Sequence, residues 1–106
     1  MQLPPYSYLP DWDDENRFHI SLHGMEDFQI EEVYYSEGIY KTLVLKNKKN
    51  IKGEKRIKLL GVDAAGTYIK AIVALNNHKQ LWRCVTAIRM NENERKLYLK
   101  YIGVKK

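Results

Sequence analysis

Arg56, Arg83 and Arg89 are the residues whose type and placement point most clearly to chemistry. Arg56 lies in the polar phase of an alternating run, while Arg83 and Arg89 lie within and just past another. A guanidinium stays charged and presents a planar fork of donors, so several converging on one sheet face or edge suit phosphate groups. Lys58 shares the polar phase of Arg56 and completes a phosphate-binding set of Arg56, Arg83, Arg89 and Lys58. The competing reading pairs these cations with surface Asp and Glu. Cutting RNA without a metal needs little beyond such a set. The 2′-hydroxyl attacks the adjacent phosphorus in line, cations stabilise the added negative charge, one group takes a proton and another supplies one. His19, His23 and Tyr98 are the proton-transfer candidates, and Arg56, Arg83 and His23 form the candidate catalytic set.

Other chemistries find less support. His19 and His23 have the four-residue spacing of helical metal ligands, but a site needs further ligands, and Cys84 is the one soft candidate. No glycine loop that cradles phosphate is present, and no G-x-S-x-G elbow. Trp82, Cys84, Thr86 and Ile88 share a strand face on which three of the four are core-like, so Cys84 reads as a buried, inert thiol. No cofactor and no metal are expected.

These residues sit in a chain of 106 residues with net charge +5 and a sequence pI near 9.3. That length supports one core and one domain. The basic balance favours a polyanion such as RNA, or an acidic protein partner, although lysines that merely solvate the surface give the same sum. A single cysteine excludes an intramolecular disulfide and fits a reducing cytoplasm. No run approaches the roughly 18 apolar residues of a membrane span, and the N-terminus lacks a signal-peptide pattern. A cytoplasmic protein with no membrane partner is expected.

The elements that must position the cations follow from spacing. Residues 1–11 hold Pro4, Pro5 and Pro10 and read as an extended arm, with residues 12–106 as the single domain. Asp13, Asp14 and Glu15 open a helix that Gly24 ends, and Asp27 caps a second helix with Ile30, Val33 and Tyr34 as its apolar stripe. Residues 39–45 read as a strand and 46–55 as an exposed basic turn. Residues 55–60, 67–75 and 80–88 read as three more strands, with Ile57 and Leu59 facing in and Arg56 and Lys58 facing out. Asn91 and Glu94 approximate a capping box for a last helix packed through Leu97, Tyr98, Tyr101 and Ile102. The expected class is α+β: two short N-terminal helices, about four antiparallel strands and a C-terminal helix.

A spaced series of short matches also runs along the chain. It comprises Trp12-Asp13, His19-Ile20, His23-Gly24, Glu54-x-Arg56 with Gly61, Arg83-x-Val85-Thr86-Ala87, and Glu94-Arg95-x-x-Tyr98. In order and spacing this series resembles the BrnT family of small toxins over about residues 12–98. The resemblance implies a RelE-like fold and a type II toxin that degrades RNA and arrests growth. It further implies neutralisation by a co-encoded, DNA-binding antitoxin. Arg56 and Arg83 would be the phosphate-binding cations, and Glu94 and Tyr98 would hold the closing helix to the sheet. The chain departs from the family pattern at Leu22 and Ile88, which stand where the family carries basic residues.

Overall fold

The computed structural model describes residues 2–36, 38–43 and 54–103. Leu9–Pro10 (β1), Asp14–Ser21 (α1), Asp27–Tyr35 (α2), Ile39–Thr42 (β2), Glu54–Val62 (β3), Tyr68–Asn76 (β4), Leu81–Arg89 (β5) and Glu92–Gly103 (α3) follow one another along the chain. The sheet order is β1-β5-β4-β3-β2, an antiparallel meander from β2 to β5 with β1 parallel to β5 at the edge. The α+β expectation holds, and the sheet has one strand more than the four expected. The basic turn expected at residues 46–55 falls mostly outside the described residues.

The extra strand comes from the proline arm. Pro10 pairs with Trp82 at a sheet edge, where a residue without an N–H is tolerated. The flanking N–H groups carry the ladder around it: Leu9 donates to the Gln80 carbonyl at 3.1 Å and Asp11 to the Trp82 carbonyl at 2.8 Å. Upstream, Gln2 exchanges two backbone bonds with Tyr40 on β2. The Tyr34 hydroxyl donates to the Pro5 carbonyl at 2.7 Å, and the Tyr35 hydroxyl to the Tyr8 carbonyl at 2.6 Å. The arm is thus tied to β5 through β1 and to β2 through Gln2.

Strand alternation divides the sheet into two faces. Ile57, Leu59, Ile69, Ala71, Val73, Leu75, Trp82, Cys84 and Ala87 face α1 and α2, which contribute Ile20, Ile30, Val33 and Tyr34 to the same buried cluster. Trp82 stacks on Tyr34 at 4.4 Å between centroids and meets Trp12 edge-on at 5.9 Å. Its indole N–H donates to the Tyr35 hydroxyl at 2.9 Å. Asp13 caps α1 by accepting from the Asn16 N–H at 2.7 Å, and Gly24, at φ +75°, takes the left-handed turn that stops it. The cap of α2 is Glu26, one residue before the expected Asp27: its N–H donates to Gln29 Oε1 at 2.8 Å.

Helix α2 crosses β3 closely where Gly61 meets Val33. A Cβ on Gly61 would lie 2.7 Å from Val33 Cγ1, and one on Gly38 would collide with the Val33 carbonyl oxygen. Gly61→Ala is therefore expected to destabilise the fold by about 1–3 kcal/mol, read as a lower urea midpoint.

The opposite face carries a smaller cluster of Ile39, Leu60, Met90 and Tyr98, joined by Val62, Tyr68 and Ile102 under α3. Asn91 and Glu94 form the expected reciprocal cap. The Glu94 N–H donates to Asn91 Oδ1 at 2.8 Å, and the Asn91 N–H donates to the Glu94 carboxylate at 2.9 Å. The packing stripe is narrower than the sequence suggested. Glu94, Tyr98 and Ile102, four residues apart, face the sheet, whereas Leu97 and Tyr101 are 47% and 37% exposed.

Candidate functional site

Helix α3 packs over the Leu60 end of its face, and among the described residues no element packs over the other end. Register places Arg56, Ala74 and Arg83 in one row across β3, β4 and β5. The next row is Lys41, Lys58, Ile72 and Thr86, and the row after it includes Leu60, Lys70 and Ile88. Arg56 and Arg83 are two strand spacings apart, about 10 Å at the backbone, with only the Ala74 methyl between them. The face gathers five cations, Lys41, Arg56, Lys58, Lys70 and Arg83, around two carboxylates, Glu54 and Glu94.

A bulge in β5 decides which residues join them. Ile72 pairs with Thr86 and Val73 with Cys84, so Val85 is an extra residue on β5. The expectation that Trp82, Cys84, Thr86 and Ile88 share one face is therefore overturned. Past Val85 the phase flips: Ala87 takes the core position, and Thr86 and Ile88 turn to the face of Arg83. Arg89 is carried to the opposite phase and lines a separate cleft with Thr67, Tyr68 and Arg95. The structure thus brings Arg56, Arg83 and Lys58 together and leaves Arg89 out. Cys84 is fully buried, and burial pushes its thiol up to about 12.

The cations differ in their partners. Arg83 Nη2 lies 3.4 Å from Glu54, Lys70 Nζ 3.0 Å from Glu94, and Lys58 Nζ 3.7 Å from Glu94. Carboxylate pairing, the competing reading of the sequence, applies to these three. Among the described residues Arg56 makes no ion pair and is half-buried on the open face.

Glu94 links this face to α3. Burial alone would raise its carboxyl, but the Asn91 N–H and the Lys70 and Lys58 ammonium groups outweigh that and hold it below the ordinary value of 4.5. A depressed folded value stabilises the fold above the ordinary carboxyl value, and this contribution fades as pH falls through the folded value. Glu94→Gln is therefore expected to flatten the loss of stability that the wild type shows on acidification below about pH 4.5, measured by urea unfolding across pH.

Of the expected proton-transfer groups, the two histidines are not on this face, and Tyr98 is on it but packed under α3 at the Leu60 end. His23 stands exposed in the turn after α1, in the helical layer across the sheet from Arg56 and Arg83. His19 is also exposed, 3.8 Å from Glu15. Tyr98 is 1% exposed beneath α3. Among the described residues, no three His, Cys, Asp or Glu side chains gather as metal ligands, and no helix is long and apolar enough to cross a membrane.

Sequence reasoning about proton transfer missed Glu54. Its side chain is 10% exposed and lines a cavity of about 60 Å³ with Asp11, Asn76, Lys79, Trp82 and Arg83. The two-residue step of Glu54-x-Arg56 already put both side chains on one strand face. Nothing local marked Lys79 or Asp11, because the β4–β5 turn and the edge strand bring them there. Comparison of the sequence with models of known protein families and with curated proteins returns no match. An open face of fixed strands with paired guanidinium groups can hold the backbone of an extended polyanion.

Proposed function

We propose that this chain is a BrnT-like toxin, a RelE-fold, metal-independent ribonuclease that arrests growth by cutting RNA. RNA lies on the open sheet face, with Arg56 and Arg83 on either side of the reacting phosphate. The observation that carries the reading is the row Arg56–Ala74–Arg83 on a face that α3 leaves uncovered. The spaced motif series supports the family reading, and the net charge of +5 suits a polyanionic substrate. The protein partner this implies is a co-encoded, DNA-binding antitoxin, and the compartment is the cytoplasm.

A catalytically silent RNA-binding relative is the second reading, and Ile88 favours it. That residue replaces a family arginine and lies 39% exposed on the face of Arg83. Leu22 weighs less, since it lies in the helical layer away from the row. Growth after induced expression separates the two readings. Arrest by wild type, and not by equally soluble Arg56→Ala/Arg83→Ala, supports the toxin. Normal growth with abundant soluble wild-type protein favours the silent relative.

Both readings share a binding prediction. Neutralising three or four phosphates of a single strand gives a slope of log affinity against log salt of about −2 to −3. A slope near zero in a fluorescence titration with single-stranded RNA would contradict them both.

A further inference from the structure

We infer that Glu54 is the catalytic base of this site, the group that takes the 2′-hydroxyl proton; the inference rests on the ribonuclease reading above. Three observations carry it. The Glu54 carboxylate is nearly enclosed beside the Arg83 guanidinium. It shares its strand face with Arg56 and sits beside Arg83, so a phosphate held by both arginines brings its ribose next to the carboxylate. Finally, the cavity it lines has room for a hydroxyl but not for a whole nucleotide, which leaves the ribose on the open face with its hydroxyl directed inward.

The step balances with Glu54 and solvent water. As the O2′–phosphorus bond forms, the O2′ proton passes to the Glu54 carboxylate, and Arg56 and Arg83 hold the non-bridging oxygens. The phosphorus–O5′ bond breaks on the side away from the cavity, and its electron pair takes a proton from solvent water on the open face. The products are a 2′,3′-cyclic phosphate and a 5′-hydroxyl. Glu54 then releases its proton to solvent, which restores the balance. Among the described residues, the charged groups around the Glu54 cavity are Arg83 from β5, Lys79 from the β4–β5 turn and Asp11 after β1, with Arg56 two residues along its own strand.

The test compares wild type, Glu54→Gln and Glu54→Asp on a single-stranded RNA oligonucleotide from about pH 5 to 9. Single-turnover cleavage, RNA affinity and thermal midpoint are measured for each. Glu54→Gln keeps a hydrogen-bonding partner for Arg83 but cannot take the proton. It is expected to bind RNA at least as tightly as wild type and to cut it about 10²–10⁴-fold more slowly. Glu54→Asp keeps a carboxylate and is expected to fold and to cut faster than Glu54→Gln but more slowly than wild type. Cleavage by Glu54→Gln at the wild-type rate overturns the inference and leaves the ribonuclease reading standing. If Glu54→Gln does not fold, cleavage by Glu54→Asp at the full wild-type rate overturns it instead. RNA left uncut by wild type across the range overturns the ribonuclease reading and this inference together.

Discussion

With Arg56 and Arg83 both replaced by alanine, RNA affinity is expected to fall about 100-fold and residual cleavage by a further factor of about 10³. The two losses have different origins. Each guanidinium contributes a charge-assisted contact to phosphate in the ground state, and that contribution weakens with salt. In the transition state the phosphoryl oxygens gain negative charge, and donors fixed on neighbouring strands are already in place to meet it. Single variants separate the roles. Arg56 has no ion pair among the described residues, so Arg56→Ala should leave the thermal midpoint nearly unchanged while lowering affinity. Arg83→Ala also strips the nearly buried Glu54 of its cation and should lower stability modestly, by about 1 kcal/mol. Equal affinity for wild type and the double variant would remove the row from any account of RNA binding.

Trp82→Ala is expected to cost about 3–5 kcal/mol, close to the whole stability of many small domains. The residue is 1% exposed and touches three other rings, Tyr34, Tyr35 and Trp12. Its removal opens a cavity between the sheet and α2 and leaves the Tyr35 hydroxyl without its indole donor. Because Trp82 also pairs with Pro10, the arm's edge strand should loosen as well. Urea unfolding followed by circular dichroism measures the loss. Trp82→Phe keeps most of the ring volume and should recover part of it. A Trp82→Ala midpoint within experimental error of wild type would contradict this description of the core.

Much of the fold was legible because it depends on local signals. The period-two runs gave the strands around Ile57–Leu59 and Ile69–Leu75, and Asn91 with Glu94 gave the last cap. The edge strand was not legible: proline signals an extended segment, and only Trp82 and Gln80 across the sheet make that segment a strand. The bulge at Val85 left no mark either, since Val85 and Thr86 suit a regular strand equally well. That one residue removes Arg89 from the phosphate set and brings in Thr86. At the site, Arg56, Lys58 and Arg83 were readable from alternation and charge type. His23 was misplaced because spacing along a helix does not reveal which face of a sheet the helix covers. Glu54 was present in a quoted motif, but its closeness to Arg83 depends on β4 lying between β3 and β5.

The central claim is that the open face of the sheet binds RNA and cuts it. The most direct measurement incubates end-labelled single-stranded RNA with purified wild-type protein in the presence of a metal chelator and analyses the product ends. The account predicts fragments ending in a 2′,3′-cyclic phosphate with wild type, and intact RNA with Arg56→Ala/Arg83→Ala. Intact RNA after incubation with wild type, at concentrations that saturate binding, would contradict it.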